Sequence, residues 1–434
     1  FMNEKLSMKR QVSGFMLGIG FGCVVLALFA VALFQIPSVR DRYGWRVDFA
    51  LTFLRSLVDP VKPLPAIRTT RITDEQLEIK PTDPPMETRI QQATQQTNVT
   101  TSSPTPSPTP TLAPTPIPGV VQLAPPAYEK QEINNCGPAT LAMYLRYYGW
   151  EGDQATIASI TKPKSEDRNV NVEELVAYVN TQTPGYEIQF RVGGDVETLK
   201  RLLAAGFPVM IEESFIMEES YWLNDDRWAG HYLLLTGYDD SAQAFQVQDS
   251  FLGPDMQISY AALKERWKSF NYVYILVYKP ESRQLVQSLL VDQWDVDTNR
   301  QHALDLAKRE VEQNPDDAFA WFNIGTNLVY FESYAQAAGA YDNARNIGLP
   351  QRMLRYQFGP FFAYFHSGRI EDLLSLTEYA LKRTPNSEEA KLWRGWAMYR
   401  QGNKEEAIKL FNEALAVRPD YFDAEYALDF VRNN

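Results

Sequence analysis

The chain has 434 residues, enough for two or three domains, and its 45% hydrophobic and 13% aromatic content is sufficient for real cores. A formal charge of −12 argues against nucleic acid or anionic lipid headgroups as the main partner. Two cysteines, Cys23 and Cys136, exclude a disulfide framework, and three histidines without a Cys pair leave no metal constellation and no expected cofactor.

Residues 1–11 contain Lys5, Lys9 and Arg10 and read as a short cytoplasmic segment. No charge follows until Arg40, and the apolar stretch 12–36 exceeds the roughly 20 residues a bilayer-crossing helix needs. A cleaved signal peptide has a shorter apolar core and a small-residue cleavage site, so 12–36 reads as an uncleaved single-pass anchor. Residues 37–127 read as a juxtamembrane helix, interfacial or plain, followed by a linker rich in Pro, Thr and Ser. The run TTSSPTPSPTPTLAPTPIPG (100–119) cannot build a core and is expected to be extended. Basic residues flank the span on both sides, so charge alone does not orient it. The stalk-like linker sets the expectation that everything after the span is extracytoplasmic.

Residues 128–281 mix the two periodicities, which indicates a compact α+β domain. Helices are expected over GPATLAMYLRYYG (137–149), VEELVAYVN (172–180) and DVETLKRLLAAG (195–206). Strands are expected at FPVMIEE (207–213), HYLLLTGY (231–238), AFQVQDS (244–250) and YVYILVY (272–278). Asn135 suits an N-cap and Pro138 is tolerated only in a first helical turn, so Cys136 opens a helix. There the unsatisfied N–H groups and the dipole favour a thiolate. A nucleophilic thiol needs a base. His302 and His366 fall in the helical C-terminal third, which leaves His231. A hairpin centred near residue 240 sets His231 opposite Asp249, or within one residue of it, as an orienting acid. The acid pairs Glu212–Glu213, Glu218–Glu219, Asp225–Asp226 and Asp239–Asp240 read as mostly solvated loops and turns. Tyr221, Trp222 and Trp228 are open to two readings, cleft wall or core.

Residues 282–434 carry a repeat. Prolines recur at 315, 350, 385 and 419, spaced 35, 35 and 34 residues apart. Trp321, Ile324, Gly325, Ala337, Tyr341 and Ala344 occupy packing positions in one copy; Gly395, Gly402, Ala407, Phe411 and Ala414 do so in another. The small residues let paired helices approach and the aromatics fill between pairs. The segment 351–385 departs from the pattern at Phe361 and Thr377. Residues 302–315 read as half of an earlier repeat, and the end of the chain reads as a capping helix. This array resembles tetratricopeptide repeats, which implies a superhelix that recruits a protein partner.

QEINNCGPATLAMYLRYYG, GHYLLLTGYDD and VQDS resemble the nucleophile, histidine and acid segments of the C39 family of papain-like cysteine peptidases. The resemblance implies a papain-like fold, with Cys136 as nucleophile, His231 as base and then acid, and Asp249 as orienter. It implies that Gln131 donates to the oxyanion with the Cys136 N–H, although Gln131 stands one residue nearer to the cysteine than is common in papain-like enzymes. Asn134 and Asn135 are alternatives for that role. The whole chain thus reads as a membrane-anchored surface peptidase. The other readings are an inert papain-like domain on a repeat adaptor, and a thiol amidase or acyltransferase acting on cell-wall peptides.

Overall fold

In the computed structural model, residues 29, 32–60, 62–67, 117–163, 169–220 and 226–433 are described. The chain divides into two units, residues 1–60 with 164–166 and residues 61–163 with 167–434. The described part of the first is chiefly one helix, α1 (Pro37–Val58), which opens on a proline whose missing N–H is no loss at a helix start. Among the described residues no helix is long and apolar enough to cross a membrane, and the expected span 12–36 lies almost wholly outside them.

The second unit is built on an antiparallel sheet. Its strands are β1 (Val120–Gln122), β2 (Glu187–Arg191), β3 (Val209–Ile216), β4 (Trp228–Asp239), β5 (Ala244–Asp249), β6 (Gly253–Ser259) and β7 (Tyr274–Tyr278), in the order β2-β7-β3-β4-β5-β6. β4 is the spine. One of its edges takes β3 and, past it, β1; the other takes β5. Because β1 belongs to the sheet, the domain begins inside the stretch expected to be linker.

Both faces of β4 are covered, which is why HYLLLTGY is an unbroken apolar run and not an alternating one. Tyr232 and Leu234 share one core with Leu141, Ala142 and Leu145 of helix α2 (Cys136–Tyr147). Leu233 and Leu235 share another with Leu199, Leu202 and Leu203. Each fully buried leucine contributes about 1.5–3 kcal/mol. Helix α3 (Gln154–Thr161) follows α2. Then come α4 (Val172–Gln182), whose N-terminus carries an Asn171/Glu174 capping box, and α5 (Val196–Ala204), capped by Asp195. Helix α6 (Tyr260–Trp267) precedes β7. Helix α7 (Arg283–Leu290) lies beyond the expected boundary at 281, yet Val286 and Leu290 pack into the sheet's second core.

The remaining helices run α8 (Val296–Gln313), α9 (Ala318–Tyr330), α10 (Tyr334–Ile347), α11 (Gly359–His366), α12 (Ile370–Arg383), α13 (Glu388–Arg400), α14 (Lys404–Val417) and α15 (Phe422–Asn433). The repeat glycines stand where expected. A Cβ on Gly325 would come within 2.7 Å of the Tyr341 ring, and one on Gly395 within 2.4 Å of Phe411. In the divergent middle repeat Thr377 is fully buried, and its hydroxyl is satisfied by the Leu373 carbonyl at 2.8 Å.

The repeats are seated on the sheet domain. Asn299 of α8 pairs with the Val192 backbone in both directions, at 2.8 and 3.0 Å. Next to it Gly193 has φ +65°, and a Cβ there would meet the Ala303 backbone at 2.9 Å. Asn271 and Asn327 exchange side-chain hydrogen bonds, and Lys268 reaches Asp317 at 2.8 Å.

Candidate active site

Cys136 is the first residue of α2, half-buried, with Pro138 in the first turn as expected. Asn135 holds the cap position, but its side chain makes no capping bond. Its amide is instead oriented by its nitrogen, which leaves Oδ1 turned from the helix N–H groups. Asn135 Nδ2 donates to Gln154 Oε1 at 2.8 Å, and the same oxygen accepts from Glu132 N at 2.7 Å. Gln154 Nε2 donates in turn to the Lys130 carbonyl. One buried glutamine on α3 therefore fixes the loop that delivers the thiol.

Two contacts clamp α2 to β4. Thr140 Oγ1 donates to the Tyr232 carbonyl at 3.2 Å. Gly137 lies so close to Tyr232 that a Cβ would meet its ring at 3.3 Å. Tyr232 neighbours His231, so this packing brings Cys136 within hydrogen-bonding reach of the imidazole.

His231 is buried at the start of β4, and its Nε2 lies 2.8 Å from Asp249 Oδ1. With Nε2 engaged by the acid, Nδ1 is left for the thiol. The strand register differs from the expected one. Leu233, not His231, faces Asp249, because the four-residue turn lies slightly beyond residue 240 and a bulge interrupts pairing between Leu235 and Gly237. His231 is two residues further along the same face, and the contact is diagonal. Asp249 Oδ1 also accepts from the N–H groups of Phe251 and Leu252, at 2.8 and 3.0 Å. Burial pushes its carboxyl up, but the bond to His231, the imidazolium charge and these two donors hold it below the usual carboxylate range. Burial opposes the charged imidazole, yet hydrogen bonds to Asp249 and Cys136 and their charges push His231 up to about 10.

Gln131 is tied to the same spot. Its backbone N–H donates to the Ser250 carbonyl at 2.8 Å and its Oε1 accepts from Ser250 Oγ at 2.9 Å. With the carbonyl oxygen engaged, the amide NH₂ is the end left to donate. Asn134 has φ +55°, and its carbonyl accepts from Lys162 Nζ at 3.0 Å. The Cys136 N–H, at the first helical position, has no acceptor within the helix.

The acid pair at 212–213 departs from its reading as a solvated loop. Both residues are buried within β3, on opposite faces of the sheet. Glu213 is the cross-strand neighbour of His231, and burial lifts it to about 7 against the lowering effect of Arg266 and His231. Glu212 faces Tyr232 and is raised well above the ordinary range, first by burial and then by the charge of Cys136. Glu218 and Glu219 are exposed as expected. Trp228 is core, stacked 5.7 Å from Phe270 and 6.4 Å from Phe319. Tyr221, Trp222 and Asp225 lie outside the described residues. The rings that flank His231 are Phe215 and half-exposed Phe251, with centroids at 5.4 and 6.4 Å.

Residues 115–275 match the model of the Peptidase_C39 like family, and residues 388–421 match that of the tetratricopeptide repeat. Residues 115–275 form a C39-like peptidase domain. Among solved structures the C39-like domain is similar to a protein described as a C39-like peptidase from Bacillus anthracis, at 18% identity over 37% of this chain and 98% of that one, TM-score 0.31. A second is xylellain, a cysteine protease from Xylella fastidiosa, at 15% identity over 38% and 87%, TM-score 0.30. The repeats are similar to YrrB, a tetratricopeptide protein with an unusual peptide-binding site, at 17% identity over 39% and 96%, TM-score 0.19. No curated protein matches the chain.

Proposed function

We propose that the C39-like domain is a thiol peptidase whose nucleophile is Cys136. The observation that carries this is the 2.8 Å hydrogen bond between His231 and Asp249 beside the helix-opening thiol of Cys136, with the acid held below the usual carboxylate range and the imidazole raised by its two partners. In this reading the Cys136 thiolate attacks the scissile carbonyl carbon. The oxyanion is met by the Cys136 N–H and the Gln131 amide. His231 gives its proton to the leaving amine, and an acyl-enzyme remains on sulfur. His231 then takes a proton from water, whose oxygen displaces the thiolate and releases the acid. Asp249 keeps the imidazole in the tautomer and orientation this sequence requires.

The apolar length of 12–36 and the Pro/Thr/Ser composition after it support a single-pass anchor with the catalytic and repeat regions outside the cytoplasm. Protease shaving of intact cells tests that placement, and resistance of the repeats counts against it. The catalytic reading is tested by incubating the full chain, and its Cys136→Ala variant, with iodoacetamide and with a peptide library. Rapid alkylation confined to Cys136 and cleavage lost in the variant are expected. If Cys136 reacts no faster than free cysteine and no peptide is cut, the domain is an inert partner of the repeats.

A further inference from the structure

Residues 62–67, Lys-Pro-Leu-Pro-Ala-Ile, lie against the repeats although residues 68–116 separate them in sequence from the peptidase domain. Each proline disfavours helix at the residue before it, so Lys62 and Leu64 are biased to extended backbone. Tyr379 of α12 donates its hydroxyl to the Lys62 carbonyl at 2.9 Å. Arg345 of α10 donates Nη2 to the Pro65 carbonyl. The same guanidinium donates Nη1 to Tyr364 Oη at 2.7 Å, and that hydroxyl donates to Asp342, which Arg369 grips. Leu64, between the prolines, is half-buried against the repeat core.

These contacts have the form of a peptide site. Side-chain donors on two helices meet backbone carbonyls, which any sequence offers, and one apolar seat takes a single side chain. The prolines lower the entropy lost on docking, because the strip is already extended when free. The face used belongs to α10 and α12, the second helices of their pairs, whereas α9, the first helix of its pair, supplies Asn323 and Asn327 to the peptidase domain. The strip therefore does not compete with that seating.

We propose that the α10–α12 face is a binding site for an extended Pro-x-Pro peptide with an apolar central residue, and that Lys62–Ile67 is its ligand in cis. One half-buried leucine and two hydrogen bonds make a weak site, filled because the ligand is covalently tethered. A partner peptide of the same chemistry must displace the chain's own segment.

The test titrates the full chain into a fluorescein-labelled peptide of residues 61–68 and reads anisotropy. The wild type is expected to bind at least about 10-fold more weakly than Leu64→Asp, whose emptied site is open to the peptide in trans. Adding Tyr379→Phe to Leu64→Asp keeps the ring, removes one hydrogen bond and is expected to weaken uptake by about 2–10-fold. Pro63→Ala with Pro65→Ala loosens the strip without touching the repeats and serves as a second open form should Leu64→Asp fold poorly. Equal uptake by wild type and both open forms overturns the cis occupancy. No saturable uptake by either open form up to the millimolar range overturns the site itself. Neither outcome depends on peptidase activity.

Discussion

Glu213 lies directly across β3 and β4 from His231, with Arg266 Nη1 3.6 Å from one of its oxygens. Its folded carboxyl is lifted to about 7 from an ordinary 4.5, mainly by burial. Between these values the native state binds more protons than the unfolded chain, so this residue makes stability fall as pH rises from 4.5 to 7 and level off beyond. From pH 5 to 8 the loss amounts to about 2–3 kcal/mol. His231 and Asp249 add their own slopes, and their coupling to Glu213 is part of what the comparison of the wild type with Glu213→Gln reads. Urea unfolding at both pH values should show Glu213→Gln gaining that amount relative to wild type at pH 8. An unchanged difference would remove Glu213 from the pH response. Asp249→Asn should keep the fold and lower kcat by about 10²–10⁴, because an amide can donate to Nε2 and select the wrong tautomer; unchanged turnover would end the orienting role. Cys136 and His231 were legible because each is the one residue of its type between 128 and 281, and Asp249 because the hairpin carries it back beside His231. Gln154, Ser250 and Glu213 were not, because their importance lies in partners far away in sequence.

At the scale of elements, α2 is set by its packing on β4 and not by a capping side chain, and Gly137 tests this. Its missing Cβ would meet the Tyr232 ring at 3.3 Å and Leu175 Cδ1 at 3.6 Å. Both neighbours are buried, so Gly137→Ala should push the helix start away from His231 and not simply displace a mobile side chain. A loss of about 1–2 kcal/mol in stability is expected, with a fall in kcat larger than any rise in KM. Wild-type kcat in this variant would show that α2 does not set the sulfur's position. The long apolar strands and strongly periodic helices were readable from pattern. β6 was not, because GPDMQIS is exposed at most positions of an edge strand and lacks the signal that burial imposes. β2 is short, and α3 reads weakly because it buries only Gln154, Ile157 and Thr161. The hairpin was legible to within two residues; its bulge at Leu235/Gly237 has no mark in composition beyond the glycine itself.

For the whole molecule, the repeats reach the catalytic line through the residue beside it. Gly230 precedes His231, and a Cβ there would meet Phe270 at 2.8 Å and Tyr356 at 2.9 Å. Tyr356 follows the 3₁₀ turn Gln351–Arg355 of the repeat region, and its ring stands edge-on to Trp228 at 5.6 Å. Trp228 in turn stacks on Phe319 of α9. The first four residues of β4 are thus held between the peptidase core and the repeats, which the proline period alone does not foretell. Such packing should make the two regions unfold together. Tyr356→Ala removes an aromatic wall and is expected to lower stability by about 2–4 kcal/mol, whereas Tyr356→Phe keeps the ring and should stay within about 0.5 kcal/mol of wild type. The fast alkylation of Cys136 depends on the intact catalytic site, so its fall to the rate of free cysteine reports unfolding of the catalytic domain, and tryptophan fluorescence, to which Trp393 and Trp396 contribute, includes the repeats. In urea the two midpoints should coincide in the wild type and move together in Tyr356→Ala. If Tyr356→Ala shifts the fluorescence midpoint while the fast Cys136 alkylation is lost at the wild-type urea concentration, the repeats do not brace the His231 strand.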